Sequence, residues 1–385
     1  MMIELCDINT CTQCQACVQI CPKHCITMVD ATDGFKLPSI DRNTCIKCGL
    51  CMRSCHKITP DLNFNIPLAN YACWTKSMCD RKKSSSGGAF SVLARHILSQ
   101  GGVVFGASMC SDLKVRHIAI SDEYELAKIQ GSKYVQSDIG NTYSEARDRL
   151  HNGQTVLYSG TPCQIAGLKT FLRKPYDNLY TCDIICHGVP SQKAFDIYLN
   201  KIKAASNFSD FKFRFTEGWG FQLSGQLVAP SPDGASIKKF ISPTKSYYLR
   251  AFTKGLMFDE SCYTCPYARS ERISDITLGD YWGIGELKPF NHSTKHGISC
   301  MLINTEKGRV LCNNCNELEY EIRPLEEAIR GNHNLSHTSE RPKGRNTYFI
   351  DAINMSIRQL SKKYGIAATW RDYLRIIKQI INTYH

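Results

Sequence analysis

Apolar residues recur at helical spacing over Phe90, Leu93, Ile97 and Leu98, which predicts an amphipathic helix directly after Ser84-Ser85-Ser86-Gly87-Gly88. Gly101-Gly102 ends that helix, and Val103-Val104-Phe105 opens a strand. Helical and strand patterns then alternate. Lys114 to Ile120 reads as a strand and Tyr143 to Leu150 as a helix. Gln154 to Tyr158 is a short buried strand running into Gly160-Thr161-Pro162-Cys163. Ile165 to Leu172 is helical, and Leu179 to Ile185 is a strand ending at Cys186-His187-Gly188. Ser191 caps a helix that ends near Ala204. Such alternation predicts a mainly parallel or mixed sheet whose strand ends can carry a site.

From Asp210 to Ile241 the pattern changes to short strands and turns. A helix with Tyr248, Leu249 and Phe252 then leads to Cys262-Tyr263-Thr264-Cys265, and Ile276 to Gly283 is a strand and turn. The last seventy residues read as mostly helical, ending in a basic amphipathic helix from Trp370 to Ile381 that serves as a packing element. The expected fold class is α+β, with a small N-terminal module, a larger α/β domain with a mixed sheet, and a helical C-terminus. Residues 1–60 form the module, 61–80 a connector, 81–160 and 161–330 the two parts of the larger domain, and 331–385 a helical extension.

The module is defined by eight cysteines in two matching runs, Cys11-x2-Cys14-x2-Cys17-x3-Cys21 and Cys45-x2-Cys48-x2-Cys51-x3-Cys55. Each cysteine of the second run lies 34 positions after its counterpart (45 − 11, 48 − 14, 51 − 17, 55 − 21). This internal repeat has the spacing that holds two [4Fe–4S] cubanes, the fourth cysteine of each run ligating the other cluster. The expected sets are therefore Cys11, Cys14, Cys17 and Cys55 for one cluster, and Cys45, Cys48, Cys51 and Cys21 for the other. Pro22 follows Cys21 as the pattern requires, whereas His56 replaces the second proline, at some loss of turn rigidity and no loss of a ligand. Zinc sites separate their C-x2-C pairs by longer stretches. Disulfides need an oxidising compartment, and the N-terminus has neither the basic nor the apolar region of a secretory signal.

The chain of 385 residues contains 21 cysteines, which points to a reducing cytoplasm and metal ligation. No apolar stretch approaches the length of a spanning helix, so no transmembrane segment is expected. Forty-seven Lys and Arg against 35 Asp and Glu give a formal charge of +12. Three clusters at about −2 each, thiolates included, would bring the holoprotein to about +6. That balance suits an acidic redox partner or an anionic cofactor. Scattered lysines and the lack of a nucleic-acid motif argue against nucleic acid.

Three further features converge: Gly160-Thr161-Pro162-Cys163-Gln164, Ile184-Ile185-Cys186-His187-Gly188, and Cys262-x2-Cys265 followed by Arg272 to Gly283. With Ser86-Gly87-Gly88 and Gly131-Ser132-Lys133-Tyr134, they resemble the coenzyme F420 hydrogenase/dehydrogenase beta-subunit family over roughly residues 60–330. The N-terminal module is similar to that of members with a fused ferredoxin. The resemblance implies an oxidoreductase that binds FAD and a third [4Fe–4S] cluster on Cys163, Cys186, Cys262 and Cys265. The residues agree, since Cys163 and Cys186 each follow a predicted strand and Cys262-x2-Cys265 offers two ligands on one turn. Zinc on Cys262, Cys265, Cys312 and Cys315 is the competing assignment, with a spacer far longer than in common zinc ribbons. Nine cysteines remain (21 − 8 − 4), most of them expected to be small buried residues and Cys312-x2-Cys315 a spare thiol pair.

There is no G-x-G-x-x-G in the chain. The candidate flavin contacts are Ser86, Gly87 and Gly88, where glycine lets a phosphate approach a helix N-terminus and Lys82 and Lys83 would add donors. The second candidate is Gly131, Ser132, Lys133 and Tyr134, with Lys133 neutralising charge and Tyr134 stacking on the ring. Asp280 and Trp282 belong to a family signature and are expected to support the Cys262–Cys265 loop. His187 stands beside Cys186, yet no residue is assigned as a catalytic acid. The expected function is a cytoplasmic, FAD-dependent, ferredoxin-linked oxidoreductase that passes electrons from ferredoxin or a partner subunit to a small organic acceptor. Homo-oligomerisation is compatible with this reading. The alternatives are a non-catalytic electron-transfer subunit of a larger redox complex, a coenzyme F420-reducing or -oxidising enzyme, and a zinc-bound interaction protein.

Overall fold

The structure is a computed structural model that describes residues 4–60, 62–202, 210–214, 226–230, 236–242 and 244–374. The cysteine repeat is also a backbone repeat. One-turn helices Ala16–Gln19 (α1) and Leu50–Arg53 (α2) lie 34 residues apart (50 − 16). Left-handed residues precede both at equivalent places, Gln13 (φ 57°) and Gln15 (φ 61°) matching Lys47 (φ 56°) and Gly49 (φ 72°). Only Gly49 adopts that conformation without a Cβ penalty. Side chains hold the two glutamines: Gln13 accepts from the Lys36 amide and donates to Asp259, and Gln15 donates to Asp138. Between the helices lies an antiparallel hairpin of Ile26–Asp30 (β1) and Lys36–Ile40 (β2).

The larger domain is built on eight strands. They are Ala69–Thr75 (β3), Val103–Met109 (β4), Val115–Ile120 (β5), Val156–Gly160 (β6) and Leu179–Ile184 (β7), then Ile276–Asp280, Ser299–Ile303 and Leu318–Ile322. Between β7 and Ile276 the chain makes a separate three-stranded antiparallel sheet of Asp210–Lys212 (β8), Gln226–Pro230 (β9) and Ser236–Phe240 (β10). The last three strands of the main sheet are therefore β11, β12 and β13. Their order is β13-β3-β12-β11-β7-β6-β4-β5. The central four, β11-β7-β6-β4, are parallel, and the strands added on both flanks are antiparallel. The expected mixed α+β class is thus the observed one.

Helices Met78–Lys83 (α3), Ala89–Ser99 (α4), Leu126–Ile129 (α5), Thr142–His151 (α6), Pro162–Leu172 (α7) and Gln192–Lys201 (α8) follow the strands of this half. Of these, α4, α6, α7 and α8 fall where periodicity places helices. Ser191 caps α8 as expected, accepting from the Ala194 amide. Tyr247–Thr253 (α9), Glu306–Asn313 (α10), Leu325–Gly331 (α11), Arg345–Asn354 (α12) and Ile357–Lys363 (α13) complete the set.

Two expectations are corrected. Residues 61–80 are not merely a connector, because β3 lies inside the main sheet between β13 and β12. Both faces of β3 are covered, so its sequence lacks the alternation that marks a half-exposed strand. The described part of the last seventy residues is mostly helical, as expected, and also includes β13. Residues 331–385 are not a simple extension either: Tyr348, Phe349, Ala352, Leu360 and Ile366 are buried in the same core as Phe195, Tyr198 and Tyr248. Of the expected final helix, 370–374 are helical and 375–381 lie outside the described residues. Among the described residues no helix is long and apolar enough to cross a membrane.

The N-terminal module docks directly on the sheet domain. Gln19 accepts from the Tyr143 and Ser144 amides, Thr170 donates to the Ser54 carbonyl, and Arg345 pairs with Asp33 at 2.8 Å. A side chain at Gly87 would strike the Cys73 carbonyl and lie 2.7 Å from the Ser299 amide nitrogen. Both atoms belong to strands paired on both sides, β3 and β12, which cannot yield. Gly87→Ala should therefore lose about 1–3 kcal/mol in denaturant unfolding. Unchanged stability would show that this loop is not packed on β3 and β12.

Candidate functional site

The two cysteine runs fold into two thiol-lined cavities. Cys11, Cys14, Cys17 and Cys55 line one; Cys21, Cys45, Cys48 and Cys51 line the other. The fourth cysteine of each run thus crosses to the other cavity, in the grouping the repeat predicts. Sequence reasoning missed a fifth thiol in each. Cys6 joins the first cavity and Cys25 the second, with Cys25 Sγ 3.4 Å from Cys21 Sγ. Both stand outside the repeat, and closeness in sequence to Cys11 and Cys21 was the only signal. Cys21, Cys25, Ile26 and Cys51 are the buried residues of this module's own core. Leu5, Val18, Ile20, Ile40 and Met52 pack around them only half-buried, and a core with so many thiols suits a group that thiolates ligate and that contributes folding energy. Among the described residues no three Cys, His, Asp or Glu converge as a single ion would require. The thiols instead surround cavities, as a multi-iron cluster needs.

The third constellation forms at the carboxyl ends of the parallel strands. Gly160 on β6 is paired in register with Asp183 on β7. Cys163 and Cys186 each follow three residues later, so they leave the sheet at one level. Pro162 stiffens the start of α7, beside a Thr161–Gln164 capping box. Cys262 and Cys265 come from the 3₁₀ turn Glu260–Thr264 and its C-cap. Burial raises the pKa of all four thiols, Cys186 to about 12, and neighbouring thiols add to the rise at Cys163, Cys186 and Cys262. Such mutual suppression fits a site where bound cations offset the charge. The zinc alternative is not supported by placement. Cys312 and Cys315 are buried among Tyr71, Cys73 and Leu311, whereas Cys262 and Cys265 pack against two other cores. Of the nine remaining cysteines, Cys25, Cys73, Cys182, Cys300, Cys312 and Cys315 are buried, Cys6 and Cys110 half-buried, and Cys79 exposed.

Arg272 fixes the Cys262–Cys265 loop. Its guanidinium donates to the Tyr267 carbonyl at 2.8 Å, the Ile184 carbonyl at 3.1 Å and Thr277 Oγ1 at 3.2 Å. It also pairs with Asp183 at 2.9 Å, the two side chains being 2% and 0% exposed. One side chain thus binds the loop to the end of β7, two residues before Cys186.

A cavity of about 300 Å³ opens beside Cys186. Ser86, Gly88, Gly131, Ser132, Lys133 and Tyr134 line it. Ser85 brings the two segments together by accepting from the Ser132 amide at 2.8 Å. Gly88 is the left-handed N-cap of α4 (φ 88°), and Gly131 is left-handed as well (φ 80°). Lys133 donates to the Gln130 carbonyl at 2.7 Å. Four placements differ from expectation. Gly87 is packed on strand backbone. Tyr134 sets its ring edge-on against Phe252 and Phe213. Lys82 and Lys83 lie on α3 and are not among the lining residues. Asp280 and Trp282 line the cavity, leaving support of the cysteine loop to Arg272.

The cavity also holds groups that carry no sequence signal. Arg214 pairs with Asp280 at 2.6 Å, both nearly buried, with its guanidinium 5.9 Å from the Trp282 ring. His117 Nε2 donates to the Ser159 carbonyl at 2.9 Å, so Nδ1 accepts from Ser137 at 2.7 Å. Burial lowers the His117 pKa to about 4 and that of His187 to about 4, so both are neutral. Asp280, Ser137 and Ser159 lie 20 to 66 residues from the side chains they hold, beyond the reach of any local pattern.

Residues 153–328 match the family model for the C-terminal part of the coenzyme F420 hydrogenase/dehydrogenase beta subunit. Residues 10–57 match the 4Fe-4S dicluster domain. Among solved structures, the chain is similar to one from the F420-reducing [NiFe] hydrogenase complex of Methanosarcina barkeri, at 16% identity and TM-score 0.47, over 78% of this chain and 92% of that one. No curated protein matches it. By its two family matches the chain is related to an oxidoreductase subunit and carries an iron–sulfur domain. Within the chain, residues 153–328 carry the C-terminal domain of the coenzyme F420 hydrogenase/dehydrogenase beta subunit, and residues 10–57 carry a 4Fe-4S dicluster domain.

Arg272→Met leaves Asp183 buried without its partner and should cost about 3–5 kcal/mol in denaturant unfolding. A loss under about 1 kcal/mol would show the pair to be dispensable. His117 in the folded chain titrates near 4, below its unfolded value of about 6.5. Unfolding takes up a proton between these values, so stability present above about pH 6.5 is lost as pH falls toward 4. His117→Gln should flatten that part of the stability–pH curve, and identical slopes would refute the assignment.

Proposed function

We propose that this chain is an iron–sulfur flavoprotein reductase. It takes single electrons from reduced ferredoxin or another acidic partner and delivers electron pairs to an organic acceptor. When bound, [4Fe–4S] clusters supply one-electron storage and FAD supplies the exchange between one- and two-electron chemistry. The residues proposed to hold the clusters are Cys11, Cys14, Cys17 and Cys55, then Cys45, Cys48, Cys51 and Cys21, then Cys163, Cys186, Cys262 and Cys265. Ser86, Gly88, Gly131, Ser132 and Lys133 are proposed to receive the flavin phosphates, helped by the N-terminal dipole of α4. Gly87 and Tyr134 act by packing behind them.

The carrying observation is that one cavity has both glycine segments on its walls and Cys186 at its edge. A ligand lying there would touch the third thiol site and the open space beyond it, where Arg214, Trp282 and His187 stand. A cavity of this size supports turnover of a small molecule over a subunit that only conducts electrons. Electron entry is assigned to the second site. Cys48 is exposed there, with Ile46 exposed beside it and Lys23, Lys47 and Arg53 around them. A cationic rim of this kind favours an acidic partner.

The test is iron and flavin content after anaerobic purification. About twelve irons and one FAD per chain are expected, falling to about eight irons in Cys186→Ala. Cys25→Ala should keep all the iron, and Cys21→Ala should lose part of it. About eight irons and no flavin in the unaltered chain would overturn the reductase reading.

A further inference from the structure

The third thiol site lies at the carboxyl ends of the parallel strands. At their amino ends, where Leu179 opens β7 and Asp275 precedes β11, there is a separate cavity of about 670 Å³. The N-terminal module closes one side of it with Arg53, at the end of α2. Thr170 on α7 donates to the Ser54 carbonyl and so joins the two walls. Five cations line the cavity, Arg53, Lys169, Arg173, Lys174 and Lys307, and Asp275 is the one acid among its described lining residues.

Asp275 is already engaged. Its Oδ2 accepts from the Thr181 amide at 2.8 Å and the Thr181 hydroxyl at 2.7 Å, and its Oδ1 accepts from Thr305 at 2.7 Å. Lys307 stands 3.9 Å from it and donates to the Tyr176 and Leu179 carbonyls. Lys169 donates to the Ile273 carbonyl. Burial lowers the pKa of Lys169; Asp275 opposes that fall and the charge of Lys307 adds to it. The two ammonium groups therefore share one carboxylate, and the three outer cations add to an unbalanced positive charge.

Arg173 breaks a local rule. It is the C-cap of α7 and has left-handed backbone (φ 62°), a conformation that glycine adopts without strain. Its side chain is exposed and lines the cavity. The dipole of α7 accounts for a cation at this helix end, but not for Arg53 and Lys307, which arrive from other elements. A strained arginine kept beside converging like charges marks a site that a counter-charge completes.

We propose that this cavity binds a phosphate-bearing small molecule of nucleotide size, with two or more negative charges. Its volume falls in the range of small-molecule sites and exceeds the needs of a single phosphate. Arg53 and Arg173 offer forked donors to phosphate oxygens, and the lysines offer point charges. Leu62, Leu172 and the Tyr176 ring give the organic part of the ligand an apolar wall. The cavity shares no described lining residue with the thiol cavities or with the cavity beside Cys186.

The experiment is isothermal titration calorimetry of the full chain, purified anaerobically with its cofactors, using ADP, pyrophosphate and inorganic phosphate as probes. ADP is expected to bind best and inorganic phosphate least. Arg173→Gly should keep its stability in denaturant, because glycine accepts the left-handed backbone, and should weaken ADP binding about tenfold. Lys174→Gln should weaken it in the same direction. Lys362→Gln removes one positive charge from α13 and should leave the affinity unchanged, which separates a local contact from an effect of net charge. ADP affinity unaltered in both Arg173→Gly and Lys174→Gln would overturn the proposal, and so would a loss in Lys362→Gln equal to theirs. Failure of the unaltered chain to bind ADP or pyrophosphate would also overturn it and leave the cations to an acidic protein partner.

Discussion

The arrangement depends on a buried ion pair. Arg272 and Asp183 are withdrawn from water, and the guanidinium spends its other donors on Tyr267, Ile184 and Thr277. A buried charge of this kind is tolerated only when nearly every donor is used. Satisfying it forces the segment after Cys265 onto the end of β7. Cys262 and Cys265 are thereby brought to Cys186, and Cys163 reaches the same level through the β6–β7 register. The sheet supplies two thiols by topology, and the ion pair supplies the other two.

The same segment then turns toward the N-terminal module. Tyr267 meets His56, α7 meets Cys14 through Gly167, and Gln13 reaches Asp259 at 2.5 Å. The repeat, the shared α7 wall and the loop thus compose one row of thiol sites running from the exposed Cys48 toward the large cavity. Left-handed backbone at Gln13, Gln15 and Lys47 shows where the cysteine loops are bent hardest. At Gln13 and Gln15, side-chain hydrogen bonds hold the bend, two of them to the sheet domain.

Much of this was legible in the sequence, because it depends on spacing. The 34-residue repeat foretold two cavities with exchanged fourth cysteines, and the alternating periodicity foretold the parallel centre of the sheet. Cys163 and Cys186 were readable as strand-end residues. What was hidden depends on contacts between distant segments. β3 carries no alternation because both its faces are covered. His117, Arg214 and Arg272 gain meaning only from partners brought to them by the fold. His56 showed as a departure from a pattern, but its use is set by Tyr267, 211 residues away. Cys6 and Cys25 lie outside the repeat, so only their closeness in sequence to Cys11 and Cys21 marked them as lining the cavities.

The central claim is that three separate thiol sets, the third at the mouth of the cavity, each hold an iron cluster. Anomalous diffraction at the iron edge, from crystals of anaerobically purified protein, tests it most directly. The account predicts three iron peaks, with one enclosed by Cys163, Cys186, Cys262 and Cys265. Two peaks confined to the N-terminal module, or a zinc signal at the third position, would contradict it.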